Sequence, residues 1–137
     1  MSLTAKEIMT TQVITVTPAT PLKEFARICA EDGISGAPVV RVDGVLVGMV
    51  SKTDLVRRLL EDDSRFGAKE SSRFELDDRQ VDEIMQPEVL TVGPDTPARE
   101  IADAMARERV HRIVITDGSA VLGIVTSLDV LGRYPAK

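Results

Sequence analysis

Residues 7–30 read EIMTTQVITVTPATPLKEFARICA, and residues 83–106 read EIMQPEVLTVGPDTPAREIADAMA. At a constant spacing of 76 residues (Met9 to Met85), the pairs Glu7/Glu83, Ile8/Ile84, Val13/Val89, Thr15/Thr91, Val16/Val92, Pro18/Pro94, Thr20/Thr96, Pro21/Pro97, Glu24/Glu100 and Ala26/Ala102 are identical. One residue is then lost in a turn, and GMVSKTD (48–54) meets GIVTSLD (123–129) at a spacing of 75. Self-similarity of this length marks two copies of one small unit, each too short to bury a good core alone. Two such copies are expected to press together about a pseudo-twofold axis. An axis of that kind creates two related clefts at the seam, and function is to be sought there.

Within each copy the pattern predicts the same order of elements. Val13–Val16 and Val89–Val92 are short β-rich runs, each preceded by a helical turn (Ala5–Met9 and Val81–Met85). Thr20-Pro21 and Thr96-Pro97 predict helix starts, with threonine as N-cap and proline at the first helical position, where its missing N–H costs nothing. Leu22, Phe25, Ala26 and Cys29 form one apolar stripe at helical spacing, matched by Ile101, Ala104 and Met105. Strands are predicted over Pro38–Val42 and Arg112–Thr116. Hairpin turns at Asp43-Gly44 and Asp117-Gly118 lead to partner strands Val45–Val50 and Val121–Val125. A second helix starts near Ser51 or Thr126, so the unit is β-α-β-β-α. Residues 56–80 belong to neither copy, and 13 of these 25 are charged. They are predicted to extend the second helix and then to form a solvated linker. Phe66 and Phe74 within it hint at docking onto the body or onto another chain. The boundaries that follow are 1–60 for the first repeat, 61–80 for the linker and 81–137 for the second repeat.

Composition narrows the function. The chain has 137 residues, 43% hydrophobic and only 3% aromatic, so its core must be aliphatic. A net charge of −5 argues against nucleic acid as the main partner, because affinity for phosphodiester chains rests on an excess of Lys and Arg. With one Cys and one His, no intrachain disulfide and no Cys/His zinc site can form. Cys29 falls opposite Met105 and is read as a core residue. No cleavable signal and no apolar run of membrane length is present, which leads to the expectation of a cytoplasmic protein without a membrane partner. There is no P-loop, no HExxH and no Gly-x-Ser-x-Gly elbow, so no catalytic and no metal-binding residues are assigned and an enzyme is not expected.

The sharpest motif is Gly-x-x-Ser/Thr-x-x-Asp after a hydrophobic strand: Gly48, Ser51, Asp54 and again Gly123, Thr126, Asp129. Two readings are open. Ser/Thr-x-x-Asp at a helix start is a capping box, hydroxyl and carboxylate satisfying free backbone N–H groups. Alternatively the glycine lets a ligand approach the backbone, the hydroxyl and helix N-terminus favour a phosphate, and the acceptor-only aspartate takes both hydroxyls of a ribose.

The paired β-α-β-β-α units, the IMT…Thr-Val-x-Pro-x-Thr-Pro opening and the doubled Gly-x-x-[Ser/Thr]-x-x-Asp closely resemble a tandem pair of cystathionine-β-synthase-type (CBS) domains. The resemblance covers nearly the whole chain apart from residues 56–80. It implies an α+β fold of two repeats about a pseudo-twofold axis, with sheets packed together and helices outside. It also implies a regulatory module that binds an adenosine-containing ligand: AMP, ADP or ATP first, with S-adenosylmethionine or NAD as further candidates and no required cofactor. The composite sites of such pairs carry over by position. One cleft combines Ile14, Ile34 and Ser35 with Thr126 and Asp129. The other combines Leu90, Val110 and His111 with Ser51 and Asp54. Ile14, Ile34, Ser35, Leu90 and Val110 would contact adenine, Asp54 and Asp129 the ribose, and Ser51 and Thr126 the phosphate. The stretch Val110–Ile115 resembles the phosphate-reading segment of the AMP-activated kinase gamma subunit, which adds His111 and Arg112 to the phosphate set. Repeat one has Ser35-Gly36 there and carries no charge, so one tight and one weak or empty site are expected, the tight one nearer His111 and Arg112. The partners implied are the nucleotide, a regulated protein of unknown identity and a second copy of the chain, the last suggested by Leu55, Leu59, Val130 and Leu131 on outward helix faces. The alternative reading is a structural dimerisation module with empty clefts.

Overall fold

A computed structural model describes residues 3–66 and 79–133 of the chain. Phe74 and most of the charged linker lie outside the described residues. The fold is mixed α+β, and the chain divides into two compact units. The first comprises Ile14–Glu88, and the second joins Met1–Val13 to Val89–Lys137. Each unit therefore contains the opening segment of the other repeat.

In the first unit, helix α2 (Leu22–Asp32) is followed by an antiparallel pair, β1 (Gly36–Val40) and β2 (Leu46–Ser51), and by helix α3 (Lys52–Phe66). Leu22, Phe25 and Cys29 of the predicted stripe are buried and meet Val16, Ala37, Val39, Val50 and Leu55, together with Val81 and Ile84 from the second repeat's opening. Full burial of each large side chain contributes roughly 1.5–3 kcal/mol. In the second unit, α1 (Ala5–Ile8) packs with a sheet of order β3 (Thr91–Val92), β4 (Arg112–Asp117) and β5 (Ala120–Thr126), flanked by α4 (Ala98–Glu108) and α5 (Ser127–Arg133). Its core is Ile101, Ala104, Met105, Ile113, Ile115, Val125 and Val130, with Ala5 and Ile8 from the first repeat's opening. A bulge falls at the same place in both hairpins, between Val39 and Val40 and between Ile115 and Thr116.

Two local expectations are corrected. The predicted strand at Val13–Val16 is reduced to a single parallel bridge between Val16 and Val39. Its counterpart keeps a two-residue strand, Thr91–Val92, and Val114 N–H also donates to the Leu90 carbonyl at 3.3 Å. Pro38 stands where Val114 does and has no N–H to extend that ladder. Second, the helix N-caps are Pro21 and Pro97, not Thr20 and Thr96. The Thr20 hydroxyl instead accepts the Thr17 N–H at 2.9 Å. The first helical N–H of α2, Leu22, donates to the Arg79 carbonyl at 3.0 Å, and that of α4, Ala98, to the Leu3 carbonyl at 2.7 Å. The exchanged openings thus supply the acceptors that threonine was expected to provide. Helix α4 ends on Arg109 in the left-handed region at φ 56°, where α2 ends on Gly33 at φ 66°; the side chain there costs about 1 kcal/mol.

Candidate functional site

Helix α3 begins at Lys52, which makes Ser51 its N-cap and Asp54 the third helical residue. The Asp54 Oδ2 accepts the Ser51 N–H and the Ser51 hydroxyl, both at 2.9 Å, while the Asp54 N–H donates back to Ser51 Oγ at 3.1 Å. At α5 the Asp129 Oδ2 accepts the Thr126 N–H at 2.9 Å and the Asp129 N–H donates to Thr126 Oγ1 at 3.2 Å. Both motifs are reciprocal caps, which satisfy otherwise orphaned helix N–H groups. Each cap uses one carboxylate oxygen and leaves the other for a further partner.

The glycines of the motif have a different neighbour from the ligand that the spacing suggested. A Cβ on Gly48 would lie 2.7 Å from Met85 Sδ and 2.9 Å from the Gln86 carbonyl. A Cβ on Gly123 would lie 2.7 Å from both Met9 Sδ and the Thr10 carbonyl. Each glycine is required because the exchanged opening presses its backbone there. Two hydrogen bonds hold each contact: Met49 with Gln86 at 2.9 and 2.8 Å, and Ile124 with Thr10 at 3.0 and 2.8 Å.

The expected base and phosphate residues sit at the strand starts. Within the first unit, the Ser35 carbonyl accepts the Lys52 N–H at 2.9 Å, which sets Ser35 beside the first turn of α3. Within the second, the His111 carbonyl accepts the Ser127 N–H at 2.9 Å, which sets His111 and Arg112 beside the first turn of α5. Ile34 packs on the core of its own unit, as Leu90 and Val110 do on theirs, and each stays partly exposed. Ile14 is 37% exposed, which leaves a side of it available. Of the residues that the resemblance groups together, Ile14, Ile34 and Ser35 belong to the first unit and Thr126 and Asp129 to the second.

Two residues near Asp54 carry a role that sequence reasoning missed. Gln86 Nε2 donates to Asp54 Oδ1 at 3.3 Å, and Arg57 Nη1 lies 3.7 Å from the same oxygen. Asp54, Arg57, Arg58, Glu83, Met85 and Gln86 line an open cavity of about 260 Å³ in the first unit. The repeat shows only that the two copies differ here, Gln86 standing where Thr10 does and Arg57 where Gly132 does. Among the described residues, no cluster of three or more His, Cys, Asp or Glu side chains could hold a metal ion, and no helix is long and apolar enough to cross a membrane.

Comparison with known proteins places this arrangement. The CBS domain family model matches residues 5–61 and again 81–136. An inosine-5'-monophosphate dehydrogenase of Korarchaeum cryptofilum is 32% identical over 130 residues, which cover 94% of this chain and 24% of that protein. The CBS domain-containing protein YhcV of Bacillus subtilis is 30% identical over 124 residues, covering 90% of this chain and 80% of that one. Among the first curated relatives the chain spans about a quarter to a half of the partner's length. Of solved structures, protein MJ1225 of Methanocaldococcus jannaschii superposes with a TM-score of 0.85 at 29% identity, covering 98% of this chain and 48% of that one. At 24% identity the same fold is seen in CBSX2 in complex with AMP (TM-score 0.75, 94% of this chain and 93% of that one). It is seen again at 24% identity in the CBS domain pair of MJ0100 in complex with 5-methylthioadenosine and S-adenosyl-L-methionine (TM-score 0.78, 98% and 97%). With both repeats matched by the family model, this chain belongs to the CBS domain family and is a tandem pair of such domains.

Proposed function

We propose that the chain is a non-catalytic regulatory module that senses an adenosine-containing ligand, AMP, ADP or ATP first, and passes the bound state to a partner protein. The observation that carries the reading is the second oxygen of Asp129. After the cap has taken Oδ2, Oδ1 has no hydrogen-bond partner among the described residues, so a half-buried carboxylate keeps an acceptor for a ribose hydroxyl. Structural likeness to a pair in complex with AMP, and to one in complex with adenosyl thioether and sulfonium compounds, supports the ligand class. Asp54 and Asp129 are assigned to ribose, Ser51, Thr126, His111 and Arg112 to phosphate, and Ile14, Ile34, Ser35, Leu90 and Val110 to adenine.

The assembly proposed is a homodimer. Leu55 and Val130, first considered for its interface, are buried in their own cores, each 7% exposed. The apolar side chains left outside are Val56 and Leu60 on α3 and Leu128 and Leu131 on α5. Exposed apolar surface of this kind marks interfaces, and the commonest closed solution is twofold.

A second reading has its own observation: the reciprocal caps account for Ser51, Asp54, Thr126 and Asp129 with no ligand at all, as a dimerisation module with empty clefts would require. A thermal-shift panel with AMP, ATP, S-adenosylmethionine and NAD separates the two. A ligand that binds the native state raises the melting temperature by an amount that grows with ln(1 + [L]/Kd). Unchanged melting with every compound at millimolar concentration refutes the sensing role.

A further inference from the structure

We propose that Gln86 and Arg57 form an internal latch on the Asp54 carboxylate, so that this copy of the ribose site is held closed while the copy at Asp129 stands open. The proposal rests on the adenosine-binding reading above and adds to it which site fills first and what restrains the other; it reverses the order that the charges of His111 and Arg112 suggested, because their cleft is the one that draws on Asp54. It starts from a difference between two otherwise equivalent helix starts. Both aspartates give Oδ2 to a helix cap. At Asp54 the remaining oxygen receives the Gln86 amide at 3.3 Å, with the Arg57 guanidinium 3.7 Å away, and the side chain is only 9% exposed. At Asp129 the positions equivalent to Gln86 and Arg57 are Thr10 and Gly132, and Oδ1 has no partner among the described residues.

The backbone does not cause the difference. Gln86 is held against Met49, and Thr10 against Ile124, by the same pair of main-chain hydrogen bonds. Only the side chain on that fixed platform changes. A carboxamide reaches the carboxylate, and a threonine hydroxyl at the equivalent place makes no such bond. The Gln86 NH₂ is a donor in the position where a ribose hydroxyl would donate, so ligand and latch compete for one acceptor. A site that binds only when unlatched has its apparent affinity reduced by the unlatched fraction. Because Gln86 arrives with the opening of the second repeat, release of the latch also frees that side chain as a signal on the face of the first unit.

The test uses the full chain and adenosine as the probe in titration calorimetry. Asp129→Asn silences the open site while its remaining oxygen still caps Thr126. Gln86→Thr installs the residue the other repeat already carries. In the Asp129→Asn background, Gln86→Thr is expected to tighten adenosine binding by about three- to tenfold, and Arg57→Ala to act in the same direction. In the parent chain the Gln86 side-chain amide resonances are expected to shift on Asp54→Asn. Two equal sites in the parent chain, or unchanged affinity on Gln86→Thr, would overturn the latch and leave the adenosine reading standing. Gln86 amide resonances indifferent to Asp54→Asn would do the same without reference to any ligand. A parent chain and variants that all fail to bind adenosine would overturn the adenosine reading and the latch together.

Discussion

Replacing Asp129 in two ways separates what its two oxygens do. Asp129→Ala removes the cap partner of the Thr126 N–H, a 2.9 Å bond, and the negative charge in the first turn of α5. Loss of a cap residue costs about 0.5–2 kcal/mol and the charge–dipole contribution is about 0.3–1 kcal/mol, so destabilisation of roughly 1–3 kcal/mol follows. For a chain of this size that lowers Tm by about 3–12 °C. Asp129→Asn keeps one carbonyl oxygen, which the Thr126 N–H occupies, and replaces the other with a donor. The stability loss should then stay under about 1 kcal/mol, because the cap bond survives. Ligand binding should fall in both variants, since the acceptor offered to the ribose is gone from both. Hydrogen bonds to a charged group contribute about 1.5–3 kcal/mol, which corresponds to roughly a tenfold to hundredfold loss of AMP affinity. Urea denaturation and calorimetry on the same preparations give the two axes. An Asp129→Asn protein that binds AMP as the parent does, beside an Asp129→Ala protein that is only less stable, would refute the ribose role and leave the cap as the residue's whole purpose.

Gly48→Ala and Gly123→Ala should each destabilise by about 1–3 kcal/mol through overpacking against the exchanged openings. Gly123→Ala should be the worse, because the fixed Thr10 carbonyl lies 2.7 Å from the new Cβ, against 2.9 Å for the Gln86 carbonyl at Gly48; equal stability of both with the parent in thermal melts would contradict the close approach. Acid should weaken the fold in a defined window. The Thr4 backbone N–H, and after it the Thr4 hydroxyl, hold the Glu7 carboxyl below the ordinary range, and the Arg41 guanidinium does so for Asp43. Folded-state pKa values below the unfolded ones mean stability that is present above about pH 5 and lost as pH falls below about 4. Denaturant midpoints that rose between pH 5 and pH 3.5 would reverse that sign. Sedimentation should report a dimer at tens of micromolar, and Leu131→Glu together with Val56→Glu should shift it to the 14.9 kDa monomer; a monomeric parent chain would remove the interface.

Much of the molecule was legible in the chain because short-range physics repeats wherever the residues repeat. The stripe Leu22, Phe25 and Cys29 turned inward as its spacing required, and Ser51/Asp54 and Thr126/Asp129 formed the caps that Ser/Thr-x-x-Asp encodes. The helix starts at Pro21 and Pro97 were read one residue early, since a carbonyl from a distant segment replaced the threonine hydroxyl. The first strand was read too long in repeat one, since Pro38 withholds the N–H its partner needed. Both errors arise from an acceptor or donor far away in sequence. Gln86 was passed over for the same reason: 32 residues separate it from Asp54, and nothing local announces their meeting.

Sequence by itself determined that there are two copies, the order of elements within each, the aliphatic core and the family. It could not determine which opening completes which copy. Met9 and Met85 are the same residue, as are Gly48 and Gly123, so an opening docked on its own repeat or on the other makes the same close contacts. Local chemistry is degenerate between these two arrangements, and the choice belongs to the folded chain as a whole. The tertiary structure puts Met85 on Gly48 and Met9 on Gly123. That exchange brings Gln86 to Asp54 and leaves Thr10 with the second unit, and so two nearly identical helix starts acquire different chemistry.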